Sequence, residues 1–442
     1  MMLQDFLNWV DSFLNFEKLP QKNIFWLDMM QLLCNEFENP QNDVPCFHVA
    51  GSKGKGSVCA MIASILSEDE KKVGVYASPH ISDFRERIRL NDSFFSDEVY
   101  QSAAQILKEK FEKIKDKLPK ERAVTWFELV TVYAFLVMKN AGVDVAVYEV
   151  GLGGRLDATN IVNPLISVIN TIELEHTEFL GDTVEKIAAE KAGIIKEGVP
   201  VLCAAQTEKV KKVFIEKAKE KNSKIYFADE LIEKTDFSYD IEKKMMNVFI
   251  NSNLFSRPLK FSTHMLGEYQ AKNAALAAAA VKLVYPDFDE GKIEEGLSKV
   301  SLPARFEIVH NPSRYPKLSD LVIDGAHTVK SVSLTMDTLL KFYGDKKLHL
   351  LFACAADKDV VHIAELFKNK FESVTLTKPG LTKSCNKDKM CSAFSTAGID
   401  AKFYEDYKAG IEAALKNAED KKAVLLVTGS FYLASEVTAL LY

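Results

Sequence analysis

Residues 51 to 57, GSKGKGS, place three glycines and two lysines between the apolar run CFHVA and the helical pattern VCAMIASIL. Strand, glycine loop and helix is the order a phosphate cradle needs. Gly51, Gly54 and Gly56 allow backbone angles that turn N–H groups inward, and Lys55 adds a positive charge beside the terminal phosphates. Where the standard Walker pattern has Ser or Thr after the lysine, this chain has Gly56, so a hydroxyl from elsewhere must help hold Mg2+. A glycine turn that merely joins a strand to a helix is the plain alternative. Lys55 and the flanking elements favour nucleotide binding.

Such residues need a scaffold to hold them. Short Val- and Ile-rich runs alternate with longer segments of helical period, which predicts an α/β fold with a mostly parallel sheet covered by helices. Strands are expected at 44–50, 73–77, 144–150, 165–170 and 199–204, with helices near 56–67, 97–115, 126–140 and 182–196. Short alternating runs over 224–263 predict a small antiparallel addition, and a long helix follows over 268–284. Strands resume at 321–325, 348–354, 373–377 and 423–429. The expected organisation is a P-loop-containing N-terminal domain over 1–301 and a smaller Rossmann-like α/β C-terminal domain over 302–442, packed closely around a cleft.

Composition narrows the function classes. With 442 residues, 47% of them hydrophobic, the chain can bury a large core. Its net charge of −6, with both signs interspersed, makes nucleic acid and membrane partners unexpected. The most membrane-like run, AALAAAAV at 274–281, falls far short of the roughly 20 residues a bilayer requires. The start, MMLQDFLNWVDSFLNFEK, contains Asp5, Asp11 and Glu17 and reads as an amphipathic helix, not a secretory signal. Seven scattered cysteines without a CxxC pair argue against a disulfide framework or structural zinc and for a reducing, cytoplasmic setting. No coiled-coil pattern is evident, so a monomer is expected.

Further blocks follow the glycine loop in order. NPQ at 39–41, FHVAGSKGKGSVCAMIASIL and VGVYASPHISDFRERIRLND precede TWFELVTVYAF, EVGLGGRLDATNIV, LEHTEFLGDTVEKIAAEKAGIIK, PARFEIV with IDGAH, and TGSFYLASEV. Together they span nearly the whole chain, and the chain resembles the folylpolyglutamate synthase and dihydrofolate synthase family, a branch of the Mur ligase superfamily. The resemblance implies that Ser52, Lys53, Gly54, Lys55, Gly56 and Ser57 hold ATP phosphates, and that Ser78, Glu128 and His176 ligate Mg2+. It implies that Lys191 is carbamylated by CO2 and binds a second Mg2+, and that Asn273, Arg305, Asp324 and His327 belong to the ATP site. Lys55, Glu128, His176 and Lys191 are then the candidate catalytic set. Taken singly, Glu128 reads as a helix-surface acid, His176 as a loop or core histidine, and Lys191 as a surface lysine paired with Glu190 or Glu185. Arg305 could equally be an interdomain ion pair and Asp324 a helix N-cap.

The implied reaction joins a carboxylate to an amine. ATP would convert the carboxylate into an acyl phosphate, and the amine of L-glutamate would displace phosphate. By resemblance the carboxylate belongs to dihydropteroate or to the terminal glutamate of a folate. Arg87, between Arg85 and Arg89, together with Arg155 and Asp157 are candidates for holding these substrates, although alternating arginines fit a solvated strand face equally well. The chain departs from the family's GTNGKGS at Ser52 and Lys53, from LDHT at Glu175, from AHN at Thr328, and has Tyr269 where histidine is common. Two other readings are a Mur-type ligase extending a peptidoglycan precursor and a P-loop regulatory module that binds ATP without ligation. Lys55→Ala or Glu128→Ala is expected to cut turnover roughly 10²-fold or more.

Overall fold

Seven strands build the first sheet: β1 (Cys46–Ala50), β2 (Val73–Tyr76), β3 (Ile88–Leu90), β4 (Val145–Glu149), β5 (Ile166–Ile169), β6 (Val201–Cys203) and β7 (Ile225–Phe227). They come from a computed structural model that describes residues 2–15, 27–119, 122–381 and 383–441. The order is β3-β2-β4-β1-β5-β6-β7, and every neighbouring pair is parallel except β2 with β3. Side chains alternate across the strands. Phe47, Val49, Val145 and Val147 pack with the helices Lys55–Ser67 and Glu268–Val284, while Cys46, Ala146 and Tyr148 pack with Asp97–Ile114 and Trp126–Asn140. Covering both faces is why these strands read as unbroken apolar runs.

The segment 224–263 divides differently from the expectation. β7 extends the main sheet in parallel with β6, and only β8 (Ile232–Asp240), β9 (Met245–Ser252) and β10 (Leu259–Thr263) form the separate antiparallel sheet. The amphipathic start forms the helix Leu3–Val10, which buries Phe6 and Val10. Positions 16–18 of that expected helix lie outside the described residues.

A six-stranded sheet follows: β11 (Glu307–His310), β12 (Asp320–Ile323), β13 (Leu348–Phe352), β14 (Ser373–Leu376), β15 (Ala401–Phe403) and β16 (Val424–Thr428). Its order is β11-β12-β16-β13-β14-β15, with only β11 antiparallel. Apolar residues of both lobes join in one cluster. In it Tyr239 of β8 meets Phe342 of the helix Val329–Tyr343 with ring centroids 5.0 Å apart. Among the described residues no helix is long and apolar enough to cross a membrane.

Parallel strands end their chains on one edge, where ligands bind in such sheets. The glycine loop follows β1, Ser78 follows β2, Glu149 ends β4, and the turn carrying His176 follows β5. The second sheet presents Asp324 after β12, Lys358 after β13 and Ser430 after β16.

Candidate active site

The two edges enclose a cavity of about 1400 Å³ lined by residues of both lobes. That exceeds the roughly 300–1,000 Å³ of a single small-molecule pocket and leaves room for a nucleotide and a second substrate together.

The phosphate loop is fixed from below. Gly51 (φ 145°) and Gly54 (φ 74°) adopt backbone angles open to glycine, and a Cβ at Gly54 would lie 2.5 Å from Asn170 Nδ2. Asn170 Nδ2 donates to Asn273 Oδ1 (2.8 Å), and Asn273 Nδ2 donates to Gln270 Oε1 (3.0 Å). Asn273 therefore lines the cavity, as its place in the ATP site implied, and serves as a prop beneath the loop with both ends of its amide engaged. Ser52 donates to the Glu173 carbonyl (3.1 Å) and accepts from the Glu173 N–H (3.0 Å), which staples the loop to the turn before His176. Lys55 opens the helix Lys55–Ser67, and its Nζ donates to the Gly51 carbonyl at 3.2 Å. Gly56 and the buried Ser57 complete the lining.

Glu128 lines the same cavity as Ser78 but makes no hydrogen bond to it. Its carboxylate accepts from the Thr125 N–H and hydroxyl, both at 2.8 Å, and pairs with Arg122, closing the N-terminal capping box of the helix Trp126–Asn140. The carboxylate that meets Ser78 is Glu149, whose Oε2 accepts from the Ser78 N–H at 3.0 Å. A Cβ at Gly56 would stand 3.5 Å from that oxygen, in ordinary van der Waals contact, so Glu149 lies directly beside the phosphate loop. Burial raises the Glu149 pKa while Lys55, the Ser78 N–H, Arg305 and Arg87 pull against it. Both placements had a signal in the sequence. Thr-x-x-Glu before an apolar run is a capping pattern, and an acid ending a buried parallel strand points to the ligand edge.

His176 heads the short helix Thr177–Leu180 and lines the cavity. Burial lowers its pKa, which keeps the imidazole in the neutral, metal-ligating form. Lys191 is 1% exposed and donates to Glu175 Oε1 at 3.0 Å, not to Glu190 or Glu185. Burial, opposed by Glu175 and reinforced by Lys55, lowers its pKa to about 8. Glu175 Oε2 also lies 3.8 Å from Lys53 Nζ.

The second lobe supplies Arg305, which lines the cavity with its guanidinium over the Phe431 ring at 4.3 Å. Asp324 accepts from the Phe306 N–H (2.7 Å), the Ala326 N–H (2.9 Å) and the Thr335 hydroxyl (3.0 Å). It thereby fixes the backbone on either side of the site, with Ala304 and Phe306 both at positive φ. His327 lies 2.8 Å from the Gly325 carbonyl through Nδ1, and burial, with Lys53 beyond it, lowers its pKa to about 4.

Of the three substrate candidates, only Asp157 reaches the cavity wall. It also caps the turn Ala158–Ile161 and accepts from the Leu152 N–H at 2.9 Å. Arg155 points away, held by Glu190 at 2.9 Å with half its side chain exposed. Arg87 is 1% exposed, bonded to His80 Nδ1 at 2.7 Å and stacked over Trp126, so it is neither a cavity residue nor part of a solvated face. Sequence reasoning had also passed over Thr125, Phe127, Leu152 and Leu156, which give one arm of the cavity a largely apolar wall.

Comparison with known proteins identifies the scaffold that carries this geometry. Residues 49–281 match the Mur ligase middle domain and residues 304–431 the Mur ligase glutamate ligase domain. The chain is 28% identical to the dihydrofolate synthase/folylpolyglutamate synthase of Bacillus subtilis over 98% of both chains. It is 30% identical to the folylpolyglutamate synthase of Lacticaseibacillus casei over 92% of each. The folylpolyglutamate synthase of Mycobacterium tuberculosis, solved with ADP and AMPPCP, superposes with a TM-score of 0.86 at 25% identity, covering 99% of this chain and 98% of that one. A folylpolyglutamate synthase solved with AMPPCP and folate superposes at 0.82 with 26% identity over the whole of both chains. Loop, carboxylate, imidazole and arginine thus sit on the scaffold those proteins share, and the chain belongs to the Mur ligase family, in its folylpolyglutamate synthase and dihydrofolate synthase branch.

Proposed function

We propose that this protein is an ATP-dependent ligase that adds L-glutamate to a folate, and to dihydropteroate, through an acyl phosphate. The observation that carries the reading is the convergence of the glycine loop, Ser78, Glu149 and His176 from one lobe with Arg305 from the other on one cavity. A serine oxygen, a carboxylate and a neutral imidazole are a donor set that suits Mg2+ while leaving places for phosphate oxygens and water. Bound there, Mg2+ would supply charge neutralisation at the transferring phosphoryl group.

The chain's own residues do the rest. The loop N–H groups and Lys55 hold the terminal phosphates, and Arg305 offsets the charge that develops on transfer. The apolar arm with Phe127 and Leu152 would take the flat ring of the acceptor, and Asp157 would meet its N–H groups. The acceptor carboxylate attacks the γ-phosphorus, ADP departs, and the glutamate amine then attacks the acyl carbon and releases phosphate. No side-chain nucleophile is required. Lys191, once carbamylated, would add a second anionic metal ligand; its buried, weakly basic amine supports that role. The compartment we infer is the cytoplasm, supported by seven cysteines that are all free.

The test is purified protein with Mg-ATP and L-glutamate, offered tetrahydrofolate or dihydropteroate, with products resolved by mass. The expected result is a gain of one glutamyl residue together with ADP. Nucleotide hydrolysis that ignores glutamate and both acceptors would overturn the reading.

A further inference from the structure

Lys53 of the phosphate loop and Glu175 of the turn before His176 face one another. Lys53 Nζ lies 3.8 Å from Glu175 Oε2, while Lys191 Nζ donates to Glu175 Oε1 at 3.0 Å. One carboxylate thus answers two lysines from different elements, the phosphate loop and the helix Val184–Ala192. An aspartate would withdraw the carboxylate by one carbon–carbon bond, about 1.5 Å, and could not keep both contacts without moving the backbone. The adjoining His176 has φ 46°, a left-handed conformation that a residue with a side chain holds only when its surroundings fix it. Its flanks are fixed. Ser52 staples Glu173 to the loop, the Phe179 and Leu180 N–H groups both bond to the His176 carbonyl, and Glu175 is tied on two sides.

We propose that Lys53 and Glu175 act as one positioning unit, in which Glu175 bridges the phosphate loop to the Lys191 Nζ–H, a donor that a carbamate retains, and thereby sets the turn that aims His176. The unit rests on the reading of His176 as a metal ligand. Lysine at position 53 and glutamate at position 175 each need the other. The lysine gives the longer carboxylate its second anchor, and the carboxylate keeps Lys53 from competing with Lys55 for the same phosphate.

The test is a double-mutant cycle with Lys53→Asn, Glu175→Asp and the double variant in the full-length protein. The readout is calorimetric affinity for a non-hydrolysable ATP analogue, measured with Mg2+ and again in EDTA. With Mg2+, we expect Glu175→Asp to weaken binding about tenfold and Lys53→Asn about fivefold, with the double variant within about twofold of Glu175→Asp alone. In EDTA, Glu175→Asp should stay within about twofold of the parent protein. Losses that multiply to about fiftyfold would mean Lys53 acts on phosphate alone and would overturn the coupling, as would a Glu175→Asp protein that binds normally with Mg2+. If Glu175→Asp does not fold, Lys53→Arg and Lys53→Asn decide the matter. Arginine still reaches Glu175 and should keep near-parental affinity where asparagine loses it, and equal behaviour of the two refutes the proposal. Parent affinity that is the same in Mg2+ and in EDTA would instead undo the metal reading on which the proposal stands.

Discussion

Exchanging the two candidate carboxylates separates the site from its scaffold. Glu149 is 5% exposed, bonds the Ser78 N–H at 3.0 Å, and has Lys55 as its strongest opposing charge. Glu149→Gln keeps an oxygen for that N–H but removes the charge that faces Lys55 and would bind metal. One preorganised electrostatic contact is worth about 10²–10³ in turnover, so with a metal ligand lost as well we expect a fall in kcat of about 10³, or about 4 kcal/mol. Glu128→Ala behaves differently. It opens a capping box, costing about 1 kcal/mol, and leaves Arg122 with Asp28 as a remaining partner, which adds a loss of about 1–2 kcal/mol. Stability should thus drop by about 2–3 kcal/mol while kcat at saturating substrate stays within about threefold of the parent. Urea unfolding and glutamate-dependent ADP release measure the two quantities on the same preparations. Near-normal turnover of Glu149→Gln, or a Glu128→Ala protein that is fully stable but inactive, would refute the assignment.

Other outcomes follow from the same geometry. Lys55→Ala should fold normally and lose about 10²-fold or more in turnover, read by ADP release beside circular dichroism. At pH 8 about half of Lys191 is the neutral amine that captures CO2, against roughly 0.3% of an ordinary lysine at pKa 10.5. Labelled bicarbonate should therefore give a carbamate carbon resonance that Lys191→Arg abolishes, and no such resonance in the parent would exclude the modification. His48 is fully buried, and burial, with Lys196 adding to it, lowers its pKa to about 3 from an unfolded value near 6.5. The unfolded chain then binds the extra proton, so the contribution is complete above pH 6.5 and is lost as pH falls toward 3, by about 1.4 kcal/mol per unit. Urea unfolding at pH 7, 6 and 5 should show this slope, and His48→Gln should flatten it.

Much of the architecture was legible because buried parallel strands and amphipathic helices leave opposite periodic marks. The runs around Val49, Val147, Val168 and Leu426 could only be strands covered on both faces. β7, β11 and β15 were harder. Each is an edge strand of three or four residues with a partner on one side only, so it lacks the long apolar run that marks a central strand. The site divides along similar lines. Residues in loops at the strand ends, such as Ser78, Lys55 and His176, line the cavity together as their order in the chain suggested. Glu128 could be read either way because a helix cap and a metal ligand both take a carboxylate, and only its partners in the fold, Thr125 and Arg122, tell them apart. Arg87 and Arg155 misled because the charge of an arginine does not reveal its partner, which here is His80 in one case and Glu190 in the other.

Transfer of isotope from acid to phosphate tests the chemistry at its centre. With 18O placed in the terminal carboxylate of the folate acceptor, an acyl phosphate requires one labelled oxygen to leave with inorganic phosphate when glutamate attacks. The account predicts singly labelled phosphate in step with glutamylated product. Labelled product accompanied by unlabelled phosphate would contradict it.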